Sequence, residues 1–115
     1  MNLLSTLRVV RIATLLIATS GATGPAFADV GPTAAVVIDN FSFSPAQLSV
    51  AAGATVTWEN RDDIPHTIVN DATPRTFKSP PLDSGEKFSQ VFVKPGTYKY
   101  FCSLHPHMTG TIVVK

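Results

Sequence analysis

The chain has 115 residues, 15% of them charged, with nine Lys and Arg against eight Asp and Glu. That length suits one domain, and no block of like charge marks a nucleic-acid face, a membrane surface or an interaction tail. One cysteine, Cys102, excludes an internal disulfide framework.

The first stretch reads as a secretory signal. Arg8 and Arg11 give a basic start, Ile12 to Ala18 forms a short apolar run, and Ala26-Phe27-Ala28 supplies an A-x-A cleavage site. The apolar run is far short of the roughly 20 residues that span a bilayer. Two valines separate the arginines, so a twin-arginine signal is not indicated. Cleavage after Ala28 leaves residues 29–115 as the mature domain, with seven basic residues against eight acidic ones. A chain this short buries a modest core, so a metal that ties loops together would help it.

The mature part reads as strands and turns. Ala34–Asn40 is apolar and β-branched, and Leu48–Val50 is a short extended run closed by Ala52-Gly53. Thr55–Asn60 alternates, with Val56 and Trp58 on one face and Thr55, Thr57 and Glu59 on the other, the period of a strand with one buried face. His66–Val69 is expected as a short strand entered through Pro65, followed by a long polar, proline-rich loop over Asn70–Pro81. Lys87–Val93 is another strand, although Gln90 leaves its inner face ambiguous. After the Pro95-Gly96 turn, Thr97–Cys102 puts Tyr98, Tyr100 and Cys102 on one face, and Gly110–Lys115 closes the chain. No segment carries sustained helical periodicity. Seven or eight short strands predict an all-β Greek-key sandwich, with the turns after Asn60 and after Cys102 able to share one end.

The mature chain has one Cys, one Met and three His, and four of these five fall in the run CSLHPHM, as Cys102, His105, His107 and Met108; only His66 lies elsewhere. Two imidazoles and a thiolate in a plane, with a weak axial thioether, form the copper electron-transfer arrangement. Each residue has a plainer reading by itself: a buried core thiol, a packing methionine, a surface histidine. The joint pattern C-x2-H-x2-M before a glycine and a final strand, with a distant His, argues for the site. Three rivals remain. A copper carrier or store is disfavoured by the lack of Met-rich or paired-Cys sites. A zinc site of His66, Cys102, His105 and His107 leaves Met108 without a role. A Cys–His hydrolase finds little room for a cleft.

The stretches VTWENRDDIPHTI and PGTYKYFCSLHPHMTGTIVV, with FSFSP and GATVTW before them, resemble the cupredoxins, most closely the amicyanin and plastocyanin group. The short Cys-to-His and His-to-Met spacings are amicyanin-like. The resemblance implies an eight-stranded Greek-key sandwich with one copper ion, cycling between Cu(I) and Cu(II), near one end. It implies His66 and His105 as imidazole ligands, Cys102 as thiolate and Met108 as a weak ligand. Asn60 is expected to tie the two ligand loops together, and the Thr67 N–H to donate to the Cys102 sulfur. His105 is expected to reach the surface through a patch formed by Pro65, Pro106 and His107; an imidazole at 107 departs from the bulky apolar residue of the family and makes that rim more polar. The resemblance further implies a monomeric periplasmic electron carrier, not an enzyme, with an amine dehydrogenase as donor and a c-type cytochrome as acceptor. The alternative is a periplasmic copper-delivery protein.

Overall fold

A computed structural model describes residues 31–115. The expected signal segment, residues 1–28, lies outside the described residues. Eight strands follow one another in chain order: β1 (Thr33–Asp39), β2 (Ser42–Ser44), β3 (Gln47–Val50), β4 (Ala54–Asn60), β5 (Val69–Asn70), β6 (Lys87–Phe92), β7 (Gly96–Phe101) and β8 (Thr109–Val114). They form two four-stranded sheets, in the orders β2-β1-β4-β6 and β3-β8-β7-β5. Two pairings are parallel, β1 with β4 and β3 with β8, and the rest are antiparallel. Among the described residues there is no helix.

Alternation places the core. In β4 every second residue is buried (Ala54, Val56, Trp58, Asn60), and Thr55, Thr57 and Glu59 face outward. Val36 and Ile38 from β1, Phe92 from β6, Tyr100 from β7, and Ile112 and Val114 from β8 complete the apolar layer between the sheets. β-Branched and aromatic side chains suit such a pleated, half-buried surface. Trp58 lies at its centre, with ring centroids 5.4 Å from Tyr100, 5.9 Å from Phe88, 6.2 Å from Phe77 and 6.3 Å from Phe92. Gly110 sits opposite Tyr100 in the β7–β8 ladder, and a Cβ there would run into the Tyr100 ring. The glycine lets the tyrosine lie flat across the neighbouring strand.

Three details differ from the sequence reading. The expected strand over His66–Val69 is reduced to the two residues of β5, Val69–Asn70; His66 is held instead by an isolated two-bond bridge to Leu82. The Thr67 and Ile68 N–H groups go to side chains, Cys102 Sγ and Ser79 Oγ, and not to a neighbouring strand, so the ladder starts only at Val69. β2 is a strand that periodicity over three residues is too short to announce. Gln90 falls on the inner face of β6, between Phe88 and Phe92, but near the sheet edge, where it stays partly exposed.

The Asn70–Pro81 loop is not free. The Asn70 side chain gathers it, donating to the Lys99 carbonyl and accepting from the Ala72 and Thr76 N–H groups and the Thr76 hydroxyl. Ser79 then returns to Ile68: its N–H donates to the Ile68 carbonyl, and its hydroxyl accepts the Ile68 N–H. The segment carrying His66 and Thr67 is therefore clasped by the returning loop and by β7.

Candidate metal centre

The loop after β7 turns back on itself. The His105 N–H donates to the Cys102 carbonyl at 3.3 Å, the Met108 N–H to the His105 carbonyl at 2.9 Å, and the Cys102 N–H to the Met108 carbonyl at 3.1 Å. The last bond prolongs the β7–β8 ladder beyond the Phe101–Thr109 pair, so Cys102 and Met108 begin and close a tight loop with His105 at its bend. Cys102 and Met108 are buried, His105 is half-buried, and Pro106 and His107 are exposed.

His66 joins this loop from the other segment of the same end. The nitrogen and sulfur ligand atoms of His66, Cys102 and His105 lie within 4.8 Å of one another. Cys102 Sγ stands 3.7 Å from His66 Nδ1 and 3.8 Å from His105 Nδ1. A first-row metal ion with a sulfur leg of about 2.3 Å and nitrogen legs of about 2.0 Å, at about 120° to each other, holds sulfur and nitrogen about 3.7 Å apart. The sulfur thus stands from each imidazole nitrogen at the separation one ion requires. His107 is not among the donors that converge.

The surroundings prepare the thiol for metal. The Thr67 N–H points to Cys102 Sγ at 3.4 Å and the Thr67 hydroxyl lies 3.7 Å away. Burial works against ionisation, but the Thr67 N–H, the two imidazoles and the Thr67 hydroxyl outweigh it and bring the Cys102 pKa down to about 6 from 9.0. The thiolate is the form that binds metal.

Thr67 also joins the two ligand segments. Its hydroxyl pairs with the Ser103 hydroxyl at 2.8 Å and accepts the Ser103 N–H at 2.8 Å. That link was expected from Asn60, and here the expectation needs correcting. The Asn60 amide donates to the Ile64 and Leu82 carbonyls, both at 2.8 Å, and its oxygen accepts the Asp62 N–H. Asn60 therefore shapes the turn before His66 and anchors it to Leu82, and the Cys102 loop is tied by Thr67. An amide side chain has enough reach for a turn of its own chain, whereas the Thr67 hydroxyl already faces the neighbouring strand end.

Two residues at the site had no signal in the sequence reading. Asp62 Oδ2 lies 2.8 Å from His66 Nε2. A carboxylate on the remote ring nitrogen fixes the imidazole's orientation and leaves Nδ1 for the metal. The same carboxylate accepts the N–H groups of Asn40 (2.6 Å) and Phe41 (2.9 Å). Burial pushes the Asp62 pKa up, but the Phe41 N–H, the His66 ring and the Asn40 N–H prevail and hold it below the ordinary value. Asn40 and Phe41 both have left-handed backbone, with φ of 51° and 56°. Each such residue costs about 1–2 kcal/mol, which hydrogen bonds to a charged carboxylate, about 1.5–3 kcal/mol each, offset. The second residue is Phe41 itself, whose ring stands nearly perpendicular to both His66 and His105, at centroid distances of 5.6 and 5.2 Å. A D-D pair after Asn60 and a Phe between strands are common surface patterns, so only the fold reveals their role.

A buried, acidified thiol flanked by two imidazoles at one end of a β-sandwich defines a mononuclear blue-copper electron-transfer protein, and its cofactor is a single copper ion. The chain belongs to the cupredoxin-like domain family, whose model matches residues 9–114. It is 35% identical to amicyanin-alpha of Methylorubrum extorquens over 83 residues, covering 70% of each chain. It is 38% identical to plastocyanin of Scenedesmus fuscus over 84 residues, covering 64% of this chain and 86% of that one. The structure of a purple cupredoxin from Nitrosopumilus maritimus superposes with a TM-score of 0.67 at 37% identity, covering 71% of this chain and 99% of the other.

Proposed function

We propose that the protein is an exported, amicyanin-like carrier of single electrons, with His66, Cys102, His105 and Met108 as the copper ligands. The observation that carries this reading is the spacing of the three donors, 3.7 and 3.8 Å from sulfur to each imidazole nitrogen, around a thiol already acidified to about 6. Copper, when bound, supplies a one-electron change of oxidation state. The protein supplies a rigid cradle. Thr67 holds the sulfur and the Ser103 backbone together, Asp62 fixes the His66 ring, and three backbone hydrogen bonds keep the Cys102–Met108 loop in one shape. Donors that are held need little rearrangement when charge changes, which keeps the barrier to transfer low.

Met108 is buried at the closing end of the ligand loop, where its thioether is the remaining soft donor. His105 is half-buried, and Pro65, Pro106 and His107 are exposed; in this reading the three form the border through which His105 reaches the surface. That border is the surface for redox partners; by analogy with the amicyanins these are an amine dehydrogenase as donor and a c-type cytochrome as acceptor. A carrier must leave its partner quickly, so the interface is small, below about 1,200 Å² in total. The carrier works as a monomer, and a mature charge near neutrality makes its partner rates depend only moderately on salt. Residues 1–28 serve as the export signal to the periplasm, and residues 29–115 are the working domain.

The test is a visible absorption spectrum of the protein after adding Cu(II). An intense red absorption, reversibly bleached by reductant and lost in Cys102→Ser, is expected. Met108→Ala should keep the absorption with a shifted spectrum and a changed potential. A pale protein that still binds metal points to copper delivery or zinc and overturns the carrier reading.

A further inference from the structure

The turn between β1 and β2 is far from the ligands in sequence, yet it is bonded to one of them. Asp62 sits at the junction. One oxygen of its carboxylate accepts the Asn40 N–H; the other accepts the Phe41 N–H and faces His66 Nε2. Both turn residues take a left-handed backbone that side chains rarely adopt, and neither is glycine. The consequence is positional. With that backbone the Phe41 ring stands beside both imidazoles at once, 5.6 Å from His66 and 5.2 Å from His105, although half of the residue remains exposed. A phenylalanine left half in water on a polar turn gains little from burial, so its placement over the two histidines calls for another reason.

We infer that Phe41 is the cover of the metal centre, closing it to small exogenous ligands and to competing chelators, and that Asp62 is the positioning residue that holds this cover and His66 in one frame. The inference rests on the copper reading above. It assigns the Phe41 ring a barrier role: it fills the space beside the two imidazoles through which an anion or a chelator arm would approach. It assigns Asp62 a double role, since one carboxylate sets both the imidazole and its lid. Loss of Asp62 therefore disturbs two things together, the orientation of His66 and the seat of Phe41, whereas loss of the Phe41 ring disturbs only access.

The experiment compares the copper-loaded protein with its Phe41→Ala, Phe41→Leu and Asp62→Ala variants. Three quantities are read: the rate at which a Cu(I) chelator removes the metal, the spectral response of the Cu(II) form to azide, and hydrogen exchange at the Asn40 and Phe41 amides. Phe41→Ala is expected to speed copper removal by about tenfold, the lower end of what residues around a metal site control. It should also acquire an azide response, with the thiolate–copper absorption retained. Phe41→Leu, which keeps bulk without the ring, should fall between Phe41→Ala and the parent, and it carries the test if Phe41→Ala does not fold. Asp62→Ala should lose copper at least as fast as Phe41→Ala and should also show fast exchange at the two amides. Removal rates and azide response unchanged in both Phe41 variants, with the parent's absorption intact, would overturn the inference and leave the copper reading standing. Slow amide exchange in Asp62→Ala would overturn the role given to Asp62. A parent protein that develops no thiolate–copper absorption overturns the proposed function itself.

Discussion

The two poles of this sandwich are built on different principles. Around Trp58 the interior is aromatic and aliphatic, with Phe77, Phe88, Phe92 and Tyr100 packed on the indole ring. Its polar atoms are few and poorly served: the Trp58 Nε1 and Tyr100 hydroxyl are buried without a full hydrogen bond. Burial pushes the Tyr100 pKa up to about 12, and the nearby indole N–H offsets only part of that. At the metal end and along the segment behind it lie the buried polar side chains Asn60, His66, Thr67, Asn70 and Ser79, each in at least one hydrogen bond. The aromatic pole is held by non-directional burial, which scales with area. The metal pole is held by directional bonds, which fail when one partner is lost. Stability should thus depend most on the first and site geometry on the second, and four measurements press on that division.

The largest loss of stability should come from Trp58→Ala, about 3–5 kcal/mol, read as a lower midpoint in chemical denaturation of the metal-free protein. A loss under a third of that would mean the aromatic pole is not the main source of stability. Asn60→Ala comes next. It leaves the Ile64 carbonyl and the Asp62 N–H without their partner and takes one of two donors from the Leu82 carbonyl, which keeps the His66 N–H, at about 1–3 kcal/mol. Unlike Trp58→Ala, it should also shift the absorption of the copper-loaded protein, because the turn it holds carries Asp62 and leads to His66. An unshifted spectrum would break the comparison at its polar end.

The third measurement concerns pH. The Cys102 pKa is about 6 in the folded chain against an ordinary 9.0. A depressed pKa stabilises the fold where the thiolate exists in it, so its contribution is full above about 9.0 and is lost as pH falls through about 6. Denaturation midpoints of metal-free protein minus those of Cys102→Ala should therefore fall on moving from pH 9 to pH 5, and a flat difference would refute the acidified thiol. The smallest effect belongs to Thr67→Val. It removes the hydroxyl bonds to Ser103 and Cys102 but keeps the N–H on the sulfur. A loss of about 1 kcal/mol is expected, with a modest rise of the thiol pKa seen as slower alkylation near pH 6. A fall in that pKa would show that the hydroxyl does not favour the thiolate.

Much of this molecule was legible in one dimension. The alternation in Thr55–Asn60 and Thr97–Cys102 determined which side chains enter the core, because a strand's period of two leaves no other choice once one face is buried. The soft donors in CSLHPHM, with one remote His, determined the cofactor class, because thioether, thiolate and imidazole together suit copper. What pattern could not show was decided by contacts across long separations. His66 is placed by a bridge to Leu82 and not by a strand of its own. Thr67, 36 residues from Ser103, takes the linking role expected of Asn60. Asp62 and Phe41, 21 residues apart, meet only because β1 lies beside β4 and their ends form one rim. Composition, period and donor chemistry are local properties and can be read along the chain. Which hydrogen bonds form depends on the folded chain, because a directional bond exists only when the whole chain has brought its donor and acceptor together.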